Sequence, residues 1–350
     1  MLVAVDIGNR RVGLDSPCFI IAEAGVNHNG SLEMGFELID AAAEAGADAV
    51  KFQTFKAENL VTSLAPKAEY QLRTTDAAES QYEMIRRLEL SPEMHRALID
   101  HCNQRNILFL SSFFDEESAD LLQDLGVPAF KMPSGEITNL PLLAHVARKG
   151  KPMIVSTGMA DMDEVAAAVH ALREEGNREI ILLQCVSNYP ADPADVNLRA
   201  MNTMAAAFGL PVGYSDHTNG IEVAVAAVAL GACVIEKHFT LDRNLPGPDH
   251  TASLEPDGLA ALVRGIRTVE SALGHGRKEP ALSEANTAEV ARKSLVAARD
   301  IPAGAVLTED LIAVKRPGTG LPPLMRPQLA GRTVRVPIPE GTILQLDMLT

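Results

Sequence analysis

The chain alternates between short apolar runs that end in polar residues and longer segments with helical spacing. Helical stretches include residues 34–45, 92–105 and 161–174, with Pro92 and Asp161 as helix-start signals. Strands that alternate with helices predict a parallel sheet, and eight units without a GxGxxG turn favour a closed (β/α)8 TIM barrel. The eight predicted strands are residues 19–25, 49–55, 108–113, 129–134, 153–158, 180–186, 212–216 and 234–239.

The alternating pattern stops after Leu273, which places the predicted barrel at residues 1–273. Residues 274–290 are polar and interrupted by Gly and Pro, so they predict a linker. Beyond the linker, residues 300–312 (DIPAGAVLTEDLI) recur as residues 337–349 (PIPEGTILQLDML). We therefore expect a small, internally repeated domain at residues 291–350.

Composition limits the classes of function. A chain of 350 residues that is 47% hydrophobic can bury a large core, and a net charge of -15 argues against nucleic acid or an anionic membrane as partner. No apolar stretch approaches the roughly 20 residues of a membrane span, and charges near the N-terminus interrupt a signal-peptide pattern, so we expect a cytoplasmic protein. The cysteines lack a CxxC pair and predict buried, reduced thiols: Cys18, Cys102, Cys185 and Cys233.

In a TIM barrel the chemistry lies where the strands end. His217 and His238 end consecutive predicted strands, so their imidazoles should lie side by side above the barrel. Such a pair favours a divalent metal, with Mn²⁺, Mg²⁺ or Zn²⁺ compatible with imidazole and oxygen ligands. Other polar or aromatic residues at strand ends are candidate site residues: Glu23, Gln53, Ser112, Phe114, Ser187, Tyr189 and Ser215.

Two lysines at strand ends predict an anion site. Lys51 and Lys131 each follow apolar residues, and a buried lysine without a partner is costly. Serines such as Ser134 and Ser156 nearby suit phosphate oxygens. The alternative is that both lysines form ion pairs with Glu23 and Glu136.

Several ordered strings give the chain a family resemblance. From residue 19 to the C-terminus it resembles the sialic acid synthase family, which includes N-acetylneuraminate, legionaminate and pseudaminate synthases, and its last domain resembles their antifreeze-like domain of the β-clip type. The strings are IAEAGVNHNG (21–30), VKFQTF (50–55), KMPSGE (131–136), STGM (156–159), YSDHT (214–218), EKHFT (236–240), GPDH (247–250) and KRPGTG (315–320).

The resemblance implies roles for individual residues. His217 and His238 would bind a metal, Mn²⁺ first and Mg²⁺ or Co²⁺ otherwise, and Glu23 would act beside its water. Phosphoenolpyruvate would be held by Lys51, Lys131, Ser134, Ser156 and Ser215. Gln53, Tyr189 and the catalytic candidate Asp249 would line the sugar pocket. Arg316 would reach the sugar's N-acyl group from the partner subunit of a homodimer. Ser187 stands where some N-acetylneuraminate synthases have Asn, so the resemblance does not assign the phosphoenolpyruvate contact at this position.

The function expected from the resemblance is a metal-dependent condensation of phosphoenolpyruvate with an N-acetylated amino sugar. N-acetylmannosamine is the first candidate and 2,4-diacetamido-2,4,6-trideoxymannose, the legionaminate precursor, is the second, followed by the pseudaminate precursor. These sugars differ at C4 and C6, and residues 56–90 form a segment long enough to contain the loop residues that contact those positions. Two other classes stay open: a metal-dependent hydrolase, which would need an HxH on the first strand, and a non-catalytic sugar-binding protein.

Overall fold

The computed structural model describes residues 4–62, 64–76 and 78–350. Eight parallel strands close into a barrel in chain order, with the last strand beside the first, so the predicted TIM barrel is confirmed. A short hairpin of β1 (Val5–Ile7) and β2 (Arg10–Val12) precedes it. The barrel strands are β3 (Phe19–Gly25), β4 (Ala49–Thr54), β5 (Leu108–Phe113), β6 (Phe130–Met132), β7 (Met153–Ser156), β8 (Ile180–Cys185), β9 (Val212–Asp216) and β10 (Val234–His238).

Helices cover the outside of the barrel and begin at the predicted signals. Asp161 accepts hydrogen bonds from the backbone of Asp163 and Glu164 and so caps its helix, and Pro92 stands in the first turn of another. The layer consists of α1 (Leu32–Ala45), α5 (Pro92–Arg105), α6 (Glu116–Asp124), α7 (Leu140–Ala147), α8 (Met162–Glu174), α9 (Ala200–Phe208), α10 (Glu222–Ala229) and α11 (Pro256–Leu273).

Side chains alternate along each strand between two cores. Outward residues such as Val50 and Phe52 pack against the helices, whereas inward residues such as Phe19 and Leu110 pack with the hairpin at the start of the strands. Further along the same strands the inward positions become polar, as at Lys51, two residues after Ala49. The alternation therefore aims the polar residues into the mouth of the barrel.

In the described part of residues 56–90, between β4 and α5, the chain forms three short helices, where the sequence analysis treated the segment as a loop. These are α2 (Ala57–Leu60), α3 (Glu69–Thr74) and α4 (Gln81–Arg86). Ala57, Met84, Ile85 and Leu88 form a small apolar cluster with Val26 and Phe55. This cluster stands beside the ends of β3 and β4, at the mouth of the barrel.

The chain forms two compact units, Met1–Gly274 and His275–Thr350. In the second unit, β11 (Ser294–Ala297) pairs antiparallel with β12 (Ile312–Lys315), and α13 (Arg326–Leu329) follows. The two sequence repeats adopt the same local structure. Gly304 has a φ of 83° and Gly341 a φ of 78°, and a 3-10 turn follows each glycine. Part of the predicted linker is helical, as α12 (Ala285–Ala291).

Two smaller expectations concern the thiols and the membrane. Cys18, Cys102, Cys185 and Cys233 are all buried and unpaired, as expected. Within the part of the chain that the structure describes, no helix is long and apolar enough to cross a membrane.

Candidate active site

One cavity of about 300 Å³ opens at the ends of the barrel strands. Every candidate site residue that the sequence analysis placed in the barrel domain lines it, from Glu23 on β3 to His238 on β10 and Asp249 in the loop that follows. Arg316 lies in the second unit, at an exposed position after β12, so its role stays a prediction. The inward-facing polar positions of the eight strands therefore form a single site.

A buried ion-pair network forms the floor of the cavity. Lys51 Nζ lies 2.6 Å from Glu23 Oε2 and donates to Ser112 Oγ at 2.7 Å. Lys131 Nζ donates to Ser156 Oγ at 2.8 Å. Both ammonium groups are almost fully buried, so an anion entering the floor would interact with them at reduced screening.

Glu236 joins the two lysines, and the sequence analysis gave it no role. Its carboxylate lies 3.4 Å from Lys131 Nζ and 3.8 Å from Lys51 Nζ, and it accepts a hydrogen bond from Ser215 Oγ at 2.8 Å. The proposed alternative partner, Glu136, instead accepts from Asn139 at the surface. The signal was present in the sequence, because Glu236 stands two residues before His238 and must face the same side of the strand.

The two floor carboxylates have opposite pKa shifts. Burial raises the pKa of Glu23 to about 7, although the Lys51 ammonium acts against this. Burial also opposes ionisation of Glu236, but Lys131 and Lys51 outweigh it and lower its pKa to about 2. Glu236 is thus a fixed negative charge, whereas Glu23 can exchange a proton near neutral pH.

His217 and His238 stand side by side at the mouth, with ring centroids 5.3 Å apart. Nδ1 of His217 is 2.7 Å from the carbonyl oxygen of Val186, so this nitrogen carries the proton and Nε2 keeps its lone pair. Burial lowers the pKa of His238 well below its usual value, which keeps that imidazole neutral. Burial acts in the same direction on His217, but contacts with Cys185 and the Val186 carbonyl outweigh it and raise the pKa of His217. Tyr189 packs on His217 with ring centroids 4.2 Å apart.

A divalent metal fits this pair as an open, two-histidine site. Nδ1 of His238 is buried and has no hydrogen-bond partner among the described residues, which suits a nitrogen that awaits a ligand. Within the described ranges, no three His, Cys, Asp or Glu side chains converge as a complete metal site. A metal here would therefore take its other ligands from substrate or water.

The outer wall of the cavity has a different character. It is formed by apolar side chains. Asp249 also lines the cavity, near enough to interact with His217 and Lys51, and burial raises its pKa to about 6. Among the described residues that line the cavity, only Lys51 and Lys131 are cationic, and both belong to the floor. The apolar wall residues are Val26, Phe55, Leu60, Met84, Ile85 and Leu88.

Ser187 and Ser134 approach the backbone of Gly158 on the other side of the cavity. The Gly158 nitrogen donates to Ser134 Oγ at 3.0 Å, and a Cβ added to Gly158 would lie 2.3 Å from Ser187 Oγ. The glycine of the STGM string is thus required for this close approach. Cys185, predicted only as a buried thiol, also lines the cavity, with Sγ 3.8 Å from His217 Nδ1.

Comparison with known proteins assigns most of the chain to known families. Residues 38–278 match the NeuB family and residues 292–350 match the SAF domain. The chain is 49% identical over 336 residues to the N,N'-diacetyllegionaminic acid synthase of Legionella pneumophila, covering 95% of this chain and 94% of that protein. The protein of the same name from Campylobacter jejuni is 51% identical over 315 residues, covering 89% of this chain and 94% of that protein. The crystal structure of the N-acetylneuraminic acid synthetase of Leptospira borgpetersenii superposes with a TM-score of 0.73 at 37% identity, covering 82% of this chain and 95% of that chain.

Proposed function

Since the chain belongs to the NeuB family and ends in a SAF domain, we propose that it condenses phosphoenolpyruvate with 2,4-diacetamido-2,4,6-trideoxymannose to give N,N'-diacetyllegionaminic acid and phosphate. The observation that carries the proposal is the division of one cavity into a lysine floor and an apolar wall, with two histidines at the mouth. The floor suits an anion, and the wall suits an uncharged sugar.

The floor residues bind and orient phosphoenolpyruvate. Lys51 and Lys131 supply charge-assisted contacts to its carboxylate and phosphate, and Ser156 and Ser215 are within hydrogen-bond distance of the same network. The fixed charge of Glu236 keeps the two ammonium groups in place before the substrate arrives. Binding in this way brings the enol carbon towards the histidine pair at the mouth.

The reaction forms one C–C bond and one C–O bond to water, and it breaks the C–O bond to phosphate. The C3 carbon of phosphoenolpyruvate attacks the sugar's aldehyde carbon, water adds to the C2 cation that remains, and C2 then expels phosphate to become a ketone. Glu23, with its pKa at about 7, takes the proton from the attacking water. A divalent metal held by His217 and His238 would polarise the aldehyde oxygen.

Two observations favour the legionaminate precursor over N-acetylmannosamine, which the sequence analysis placed first. The two relatives described above that are about half identical to this chain are both N,N'-diacetyllegionaminic acid synthases. The wall formed by Leu60, Met84 and Leu88 also suits a C6 methyl group. A C6 hydroxyl without a partner there would cost about 1–3 kcal/mol.

The test uses phosphoenolpyruvate labelled with ¹⁸O at its bridging oxygen. We expect phosphate release only when an aldehyde sugar is present, with the label in the phosphate because the C–O bond is the one that breaks. A chelator should abolish the release and Mn²⁺ should restore it. Release without sugar, or label retained in the sugar acid, would contradict the proposed reaction, and sugar binding without any turnover would favour a non-catalytic sugar-binding protein.

A further inference from the structure

Behind the two histidines, β9 and β10 share an ion pair that faces away from the cavity. Lys237 Nζ lies 2.8 Å from Asp216 Oδ2, and the side chains are 1% and 0% exposed. Each residue alternates with inward-facing neighbours, since Asp216 precedes His217 and Lys237 precedes His238. Neither residue lines the cavity, so neither contacts the substrates of the proposed reaction.

The pair is part of a closed hydrogen-bond network. Asp216 Oδ1 accepts from the backbone nitrogen of Thr218 at 2.9 Å, from Thr218 Oγ1 at 2.8 Å and from Tyr214 Oη at 3.1 Å. Lys237 Nζ also donates to the carbonyl oxygen of Thr218 at 2.5 Å. The network therefore joins Asp216 and Thr218, which flank His217, to Lys237, which precedes His238.

The sheet itself does not hold His217 against β10. Strand β9 ends at Asp216, and the last registered pair between the two strands is Lys237 with Asp216. His217 lies beyond this pair, and its carbonyl accepts from the nitrogen of Ala191 instead. His238 is registered with Glu23 on the opposite neighbour, and the His217 ring is held by the Val186 carbonyl. The network behind the two histidines is therefore the link between the backbone that carries one imidazole and the backbone that carries the other.

Stability alone is a weak reason for such a pair. A buried ion pair pays a large desolvation penalty, and apolar replacements of similar volume are often as stable or more so. What an apolar pair cannot do is fix the backbone at both residues that flank a ligand. We propose that Asp216 and Lys237 are positioning residues that set the distance between His217 and His238 for metal binding, an inference that rests on the proposed metal-dependent function.

The test is metal binding without substrate. Mn²⁺ is titrated into wild type and Lys237→Met, and free Mn²⁺ is followed by electron paramagnetic resonance. We expect the dissociation constant to rise by about 10-fold in Lys237→Met, the lower end of the effect of lost supporting contacts around metal ligands. The absorption bands of bound Co²⁺ should shift as well, because the angle between the two imidazoles changes. Asp216→Asn, which keeps the side-chain shape, should weaken binding in the same direction if Lys237→Met does not fold.

The matched control is Thr54→Val. Thr54 also faces outward between two barrel strands and is buried, with Oγ1 2.7 Å from both Ser111 Oγ and His95 Nε2. The Thr54→Val substitution should lower the melting temperature of the protein and leave its Mn²⁺ binding unchanged. Binding by Lys237→Met equal to that of wild type would overturn the inference and leave the proposed function intact, whereas a wild-type protein that binds no Mn²⁺ would overturn both.

Discussion

The floor and the wall of the cavity lie within one barrel and yet have opposite chemistry. On the floor, Lys51, Lys131, Glu23 and Glu236 form a dry network in which every charge has a counter-charge. On the wall, the segment between β4 and α5 presents apolar side chains such as Leu60 and Met84. Under the proposed function, the strands supply the contacts to the anionic substrate, while a helical insertion supplies the surface that selects the sugar.

The predicted role of Arg316 is an exception to the difference between a cationic floor and an uncharged wall. It would bring a cation from another subunit to the part of the cavity that binds the sugar. We predict that Arg316→Ala and Glu23→Ala are each inactive alone. Under subunit exchange, their one-to-one mixture should regain roughly a quarter of wild-type activity, since half of the dimers are mixed and each mixed dimer has one intact site.

Turnover by the mixed variants is compared with that of each variant alone, after exchange has been demonstrated with differently tagged subunits. If Arg316 acts within its own chain, every site contains one lesion and the mixture stays inactive. That result would rule out the arrangement across a homodimer.

Lys131→Met should act on the floor alone. It removes one charge and keeps the length of the side chain, and a charge-assisted contact is worth about 1.5–3 kcal/mol. The KM for phosphoenolpyruvate should rise by about 10- to 150-fold, with a much smaller change in the KM for the sugar. Lys149→Met is the control, because Lys149 pairs with Asp120 on the outside of the barrel. An equal rise in both KM values would remove the distinction between floor and wall.

Glu23 gives the floor a pH dependence near neutral pH. Because burial raises the pKa of Glu23 to about 7, its basic form is lost as the pH falls through that value. With saturating Mn²⁺, kcat should fall by about 10-fold per pH unit below this point. The residual rate of Glu23→Gln should lack the step near pH 7. A wild-type rate that is flat from about pH 5 to 8 would exclude Glu23 as the base.

Leu60→Asn should act on the wall alone, with the smallest effect. The side chains are similar in shape, and the amide can satisfy a sugar hydroxyl that leucine leaves unpaired. The preference for the 6-deoxy sugar over N-acetylmannosamine in kcat/KM should fall by about 3- to 10-fold. Leu64→Asn lies in the same segment at a 91% exposed position and should leave the preference unchanged. Equal effects of the two variants would show that the wall does not select the sugar.

The sequence predicted the floor better than the wall. Short apolar runs that end in polar residues placed β3, β5 and β9 at their observed bounds, and the positions of Lys51 and Lys131 after apolar residues near strand ends placed them in the mouth. Of the two carboxylates considered as alternative partners of the lysines, Glu23 does pair with Lys51, but Glu136 was wrong, since Glu236 joins the two lysines instead. The signal for Glu236 was its place two residues before His238 on the last strand of the predicted closed barrel, which brings it beside β3 and its neighbour β4.

The wall could not be predicted because its apolar residues have no regular period. Leu60, Met84 and Leu88 belong to short helices and turns that are stabilised by one another and by Phe55, so their direction is set by tertiary packing. Local signals were stronger in the second unit, where the repeated Pro/Gly turns at 302–304 and 339–341 adopt one structure twice. The conformation of a Pro/Gly turn is set by the residues of the turn itself, whereas the shape of an insertion depends on its packing against the rest of the fold.

The most direct test of the proposed function compares two sugars with the wild-type protein. With Mn²⁺ and phosphoenolpyruvate saturating, kcat/KM is measured for 2,4-diacetamido-2,4,6-trideoxymannose and for N-acetylmannosamine. The apolar wall predicts that the deoxy sugar is preferred by about 10- to 100-fold, the range that a hydrophobic pocket achieves against an added hydroxyl. Equal values, or a preference for N-acetylmannosamine, would contradict the assignment to legionaminic acid synthesis.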